Sequence, residues 1–150
     1  MNFPMASPDP GPIVWRDEYS VGVAEIDTQH KRLLELLNKV NALNPDRLAP
    51  AIGNRKVMKL LDSFNEYAAY HFLSEEGLMR EHIEANEDTV KHVVAHRSYW
   101  SIISTFKKRF EEGDEQVNNE LVEYLNRWWV NHILETDKQL GRELNRRGVH

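Results

Sequence analysis

The sequence predicts an all-α protein: an up-down-up-down antiparallel four-helix bundle with a flexible N-terminal extension. Three observations point that way. Apolar residues recur at steps of three and four in four separate stretches, the breaks between them are short and polar, and nowhere do apolar and polar residues alternate convincingly as in a half-buried strand. The 150 residues suit one domain, and a chain of that length buries about two-thirds of the surface its unfolded form exposes.

Taken in order, residues 1–14 carry Pro4, Pro8, Pro10 and Pro12 and little apolar content, so they are expected to form a flexible tail, with ordered structure from about Trp15. The first helix is expected from about Val23 to Leu43, where Ile26, Leu33, Leu37 and Val40 form a stripe widened by Leu34 and Leu36. Asn44, Pro45, Pro50 and Gly53 mark the break after it. Helical spacing resumes at Arg55 and reaches about Glu84 with no internal proline, giving the second helix. The third should run from about Asp88 to Phe110 and stop at Gly113 and Asp114, and the fourth from about Val117 to Leu144. The bundle is expected to occupy 15–146, with 147–150 a frayed end that includes His150.

Composition narrows the chemistry. Lys plus Arg number 19 against 24 Asp plus Glu, and no long basic run is available to neutralise phosphates, so no nucleic-acid partner is expected. With no cysteine, disulfides, thiol catalysis and iron-sulfur clusters are excluded, and a metal would have to rely on imidazole and carboxylate. No stretch approaches the ~18 apolar residues of a membrane span, and the N-terminus has no apolar h-region, so a cytoplasmic protein is expected.

The seams facing the bundle centre should be apolar throughout, yet each carries polar residues. The first helix reads Ile26, His30, Leu33, Leu37, Val40; the second reads Val57, Leu61, Phe64, Ala68, His71, Glu75, Leu78, His82. The third reads Thr89, His92, His96, Tyr99, Ile103, Phe106, Phe110, and the fourth Leu121, Leu125, Trp128, His132. There the phase slips. Asp137 follows His132 by five residues, a rotation of about 140° in a regular helix, yet the seam resumes through Asp137, Leu140 and Leu144. One π-helical turn near Ile133 to Thr136 would absorb the extra residue. A single histidine on such a seam is more often a hydrogen-bonded core residue than a ligand. Five histidines and two carboxylates with no cationic seam neighbour would together leave several kcal/mol of unpaired polar groups, and a metal centre resolves them at once. The seven exceed one structural zinc site, and their mixture suits iron, manganese or zinc, with two ions sharing carboxylates the best fit. The Glu-x-x-His pairs of ferritin-like sites are missing.

These residues carry a resemblance. Val21-Gly22, Ile26-Asp27-Thr28-Gln29-His30-Lys31, His71-Phe72-Leu73-Ser74-Glu75-Glu76 with Met79, His92-x-x-x-His96, and Trp128 through His132-Ile133 to Asp137 together resemble the hemerythrins, specifically the stand-alone bacterial ones, across about Trp15 to Leu144. The resemblance implies a four-helix bundle with two iron ions joined by a hydroxo or oxo bridge. His92, His96 and His132 would bind one iron, His30 and His71 the other, and Glu75 and Asp137 would bridge them. It implies dioxygen as the ligand at the iron with fewer donors, for transport or storage, with an oxygen-consuming protein as recipient. The alternatives are a di-iron enzyme, such as a ferroxidase, peroxidase or nitric-oxide-handling protein, and an oxygen or iron sensor. Ala85-Asn86 stands where many relatives have Tyr-Pro, which leaves the start of the third helix unmarked. Glu76, off the seam, is expected to be solvated, and His82 to lie inward near a helix end. Tyr67, Tyr70 and Tyr99 are expected to pack around the site, with Trp128, Trp129, Leu33, Phe72 and Leu78 as candidate walls of an apolar pocket.

Overall fold

The computed structural model describes residues 12–43 and 50–150, the side chains of 50–52 excepted. Residues 1–11 of the expected tail, and the break expected at Asn44 and Pro45, lie outside the described residues. A 3-10 turn (Asp17–Tyr19) precedes α1 (Ala24–Ala42), α2 (Pro50–His82), α3 (Glu87–Glu111) and α4 (Val117–Asn131). A π-helical turn (His132–Asp137) then joins α4 to α5 (Lys138–Arg146) in one continuous helical run. All four expected helices are present, and the described residues contain no strand.

One boundary moves. Pro50 and Gly53 were expected in the break, but α2 begins at Pro50 and contains Gly53. Proline suits a first helical turn because the N–H it lacks would have had no partner there. The unmarked start of α3 also has its signal: Thr89 N–H donates to Asn86 Oδ1 (3.0 Å) and Asn86 N–H to Thr89 Oγ1 (2.9 Å), a reciprocal cap. Glu87 and Asp88 in the first turn, and Lys108 and Arg109 in the last, complement the helix dipole.

The helices close a ring in which α1 packs on α2 and α4, and α3 on α2 and α4. Contacts across each pair run in opposite senses along the chain. Between α2 and α3, Glu76 meets His96, Phe72 meets Trp100 and Asp62 meets Lys107. Between α1 and α4, Asn41 and Asn126 exchange two side-chain hydrogen bonds of 2.9 Å. No helix among the described residues is long and apolar enough to cross a membrane.

Three apolar clusters are buried among the described residues, and the two that matter for the site form layers within the bundle. The larger contains Leu37, Leu61, Phe64, Ile103, Leu125 and Trp129, and the smaller contains Val21, Val23, Ile26, Met79, Leu140 and Leu144. Burying each such aliphatic or aromatic side chain stabilises the fold by roughly 1.5–3 kcal/mol. The segment before α1 is tied down at both ends. Ile13 N–H donates to Asn38 Oδ1 and Ile13 C=O accepts from Asn38 Nδ2, at 2.8 and 2.9 Å. Asp27 then accepts from Val21 N–H (2.8 Å) and Ser20 Oγ (2.5 Å), which lays Val21 against Gly141 of α5.

Candidate metal centre

The five histidines and two carboxylates singled out on the seams converge between the two apolar layers, and every one is buried. α1 contributes His30, α2 His71 and Glu75, α3 His92 and His96, and the π-helical turn His132 and Asp137. That turn solves the phase problem set by the five-residue spacing. Its i to i+5 hydrogen bonding brings residues five apart onto one face, and His132 Nε2 lies 3.1 Å from Asp137 Oδ1.

The donor atoms form two overlapping groups, each within 4.8 Å of one another: Glu75, His92, His96, His132 and Asp137 in one, and His30, His71, Glu75 and Asp137 in the other. The Asp137 carboxylate is divided between them. Oδ1 faces His92 (3.0 Å) and His132 (3.1 Å), while Oδ2 faces His30 (2.9 Å) and, farther off, His71 (3.9 Å). Glu75 Oε1 lies 3.2 Å from His71, 3.3 Å from His96 and 3.5 Å from His92, so it too touches both groups. His96 and His132 bring two Nε2 atoms to 3.2 Å.

These separations have the chemistry of ligand edges. Adjacent donors on an ion at ~2.1 Å lie about 3 Å apart, and the buried Nε2 atoms of His30, His71 and His92, with all four oxygens of Glu75 and Asp137, make no hydrogen bond within the protein. Burying that many polar atoms without partners is costly. Cations placed between them would satisfy all together. The donor set, imidazole with shared carboxylate, suits a metal centre of the iron, manganese or zinc kind.

In the metal-free protein the groups stabilise one another's charge. Burial alone would lower the His71 pKa, but the Glu75 and Asp137 carboxylates beside it outweigh that and hold it up at about 9. The same balance holds His92 at about 10. Burial and mutual repulsion work against ionising Glu75 and Asp137, yet the surrounding imidazoles keep both below the usual carboxylate range. At pH 7 His71 and His92 are therefore protonated, and a metal takes either Nε2 only after its proton leaves. Metal loading at pH 7 is expected to release about one proton from each of these rings, read as buffer-dependent heat in titration calorimetry. Heat independent of the buffer would contradict it. The sign of the linked stability follows: the raised histidine values stabilise the metal-free fold fully below about 6.5, and that contribution is lost as pH rises through about 9 to 10.

Two residues outside the expected seven hold the imidazoles in place. His71 Nδ1 donates to Gln29 Oε1 (2.7 Å), and Gln29 Nε2 donates to Ser74 Oγ (3.0 Å). His96 Nδ1 donates to Glu76 Oε2 (2.8 Å), so Glu76, expected to be solvated, is instead a partner of a buried ring. Both bonds leave Nε2 directed at the cluster. Sequence spacing hid them, because each residue sits one place off its seam and reaches a neighbouring helix.

The aromatic residues divide differently from the expected seam. Trp129, one turn beyond Leu125, is the buried tryptophan, with its ring near Phe72 (5.3 Å) and His71 (6.1 Å). Trp128, assigned inward from the sequence, is half-buried and stacks flat on His132 at 4.4 Å, at the edge of a surface cleft of about 310 Å³ shared with Asn131, Glu135 and Thr136. Phe72 stacks on His96 at 3.9 Å. Leu33 belongs to the larger apolar layer, while Leu78 packs against the smaller one. Tyr99 is buried with its OH donating to Asn65 Oδ1 (2.9 Å), whereas Tyr67 and Tyr70 line an outer groove with Arg32 and Leu36. His82 stands apart from the cluster, 3.8 Å from Glu81.

Comparison with known proteins agrees with this geometry. The Hemerythrin HHE cation binding domain matches residues 21–144. A bacteriohemerythrin of Stenotrophomonas maltophilia is 30% identical over 126 residues, covering 84% of this chain and 77% of its own. One of Methylococcus capsulatus is 30% identical over 125 residues, 83% of this chain and 89% of its own. A hemerythrin-like protein of Naegleria gruberi is 26% identical over 134 residues, 89% of this chain and 94% of its own.

Proposed function

The chain belongs to the hemerythrin HHE cation-binding family, and from that premise we propose that it binds dioxygen reversibly at a non-haem di-iron centre, as a carrier or store rather than a catalyst. In this proposal His92, His96 and His132 hold one iron, His30 and His71 hold the other, and Glu75 and Asp137 reach both. The observation that carries it is two buried carboxylates shared between unequal sets of imidazoles. Five residues serve one position and four the other, so the His30 and His71 position is the one with fewer protein donors, and we assign the small ligand to it. When bound, the iron pair supplies two electrons that can pass to dioxygen and return.

The chain's own contribution is arrangement and dryness. Gln29 and Glu76 accept hydrogen bonds from Nδ1–H, which leaves the Nε2 lone pairs to face the metal positions. Buried Phe72, Trp129 and Ile133 pack on or near the donors and exclude bulk water. A dry surround withholds the protons that would carry dioxygen on to a released product. Tyr99 is a poor acid for that purpose: burial pushes its pKa up, and its OH is committed to Asn65. These features favour retention and release over turnover. A cytoplasmic setting and an oxygen-consuming recipient belong to the same proposal.

The test is to load the protein with ferrous iron under argon, count metal per chain, and cycle it between vacuum and air while following oxygen-to-iron charge-transfer absorption. Two irons per chain and a band that returns over repeated cycles are expected. Conversion to a ferric product on first exposure, with no recovery on deoxygenation, would replace this proposal with the enzyme alternative.

A further inference from the structure

The two imidazoles with outer partners are held by groups of different charge, and that difference has chemical content. On α3, His96 donates to the Glu76 carboxylate, whose side chain is 23% exposed at the rim of the bundle. On α2, His71 donates to the neutral amide of Gln29, which is 3% exposed. With His71 Nε2 directed at the metal position its Nδ1 carries the proton, so the amide presents Oε1 to that ring and Nε2 to Ser74 Oγ at 3.0 Å. A carboxylate accepting from a ligand imidazole raises the basicity of the opposite ring nitrogen and so favours the more highly charged ion; a neutral amide does so much less. His96 belongs to the three-imidazole group alone and His71 to the two-imidazole group alone.

Resting on the di-iron proposal, we propose that Glu76 and Gln29 are positioning residues that make the two irons electronically unequal. Glu76 draws ferric character to the position of His92, His96 and His132, and Gln29 leaves the position of His30 and His71 the more readily kept ferrous. The loss of one electron from the diferrous pair, accepted by an electrode through a soluble mediator, then oxidises the three-imidazole iron first. The four-donor position, with fewer protein donors, holds its electron longer.

The experiment is spectroelectrochemistry of iron-loaded wild type, Glu76→Gln and Gln29→Glu, each checked for fold by circular dichroism and for metal by iron count. Removing one outer partner changes metal affinity about 10- to 100-fold, which, falling on the ferric state of one iron, at 59 mV per tenfold for one electron corresponds to about 60–120 mV. Glu76→Gln is expected to raise the lower of the two one-electron potentials by that amount and leave the upper one nearly fixed. Gln29→Glu is expected to lower the upper potential. Glu76→Gln with both potentials unmoved, or both moved equally, overturns the inference. If Glu76→Gln fails to fold or load, Gln29→Glu decides alone: a lowered upper potential supports the inference and an unmoved one overturns it. A wild-type chain that does not load two irons overturns the di-iron proposal and this inference with it, whereas failure confined to the variants' potentials overturns this inference only.

Discussion

Asp137→Ala is expected to abolish metal loading at both positions, whereas His30→Ala should empty only one. The reason is the division of the Asp137 carboxylate: Oδ1 faces His92 and His132, and Oδ2 faces His30. Loss of an outer partner typically weakens a metal site about 10- to 100-fold, so loss of a shared donor should exceed about 100-fold at each position. His30 belongs to the two-imidazole group only, and its removal should leave about one ion per chain. The metal-free protein also suffers, because the protonated rings lose a buried counter-charge, a loss on the order of 3 kcal/mol. Metal analysis after reconstitution, alongside urea unfolding of the metal-free forms, separates the two effects. Full loading of Asp137→Ala would show that Glu75 alone suffices and that Asp137 is not shared. Asp137→Asn, which keeps the volume, guards against a merely unfolded variant.

The second large effect lies away from the metal. Gly141→Ala should destabilise the protein by about 3 kcal/mol or more, although replacing glycine by alanine inside a helix ordinarily gains up to ~1 kcal/mol. A Cβ at position 141 would stand 2.0 Å from the Val21 carbonyl oxygen and 2.9 Å from its carbon, and both are backbone atoms. They cannot swing aside, since Val21 is fixed by its hydrogen bond to Asp27. For a chain of this size the loss corresponds to a fall in Tm of roughly 6–12 °C. Gly77→Ala is the internal control. Its Cβ would meet only the Arg80 guanidinium end at 3.9 Å, so the ordinary gain in helix propensity should appear, on the order of 0.5 kcal/mol. Differential scanning calorimetry of the two variants tests the contrast, and an unchanged or raised Tm for Gly141→Ala would refute the close-approach argument.

The helices were legible because each has a stripe that must be buried, and the donors because they interrupt that stripe with groups that cannot be buried alone. The π-helical turn was legible for a related reason: Leu140 and Leu144 return to the seam one residue late, and only a widened turn keeps both halves inward. Gln29 and Glu76 were not legible. Each sits beside a donor, rotated by about 100° from the seam, and its role depends on which helix stands next to it. The choice between Trp128 and Trp129 failed likewise, since steps of three and four from Leu125 both point inward and the packing of Phe72 and Phe64 decides between them. The start of α3, expected at about Asp88 and found at Glu87, was placed without its cap being recognised, because Asn86 and Thr89 form it with an amide and a hydroxyl and without the acidic partner that usually advertises such a box.

The widened turn at His132–Asp137 also divides the final helical run into two reading frames. An extra residue in a regular helix would turn everything after it by about 100°, carrying Leu140 and Leu144 out to solvent. Here the displacement is confined to a single turn, and the segments on either side each keep their own count of inward positions. Heptad letters assigned from Val117 therefore name the wrong face beyond Asp137. The run has to be numbered as two helices joined at that turn.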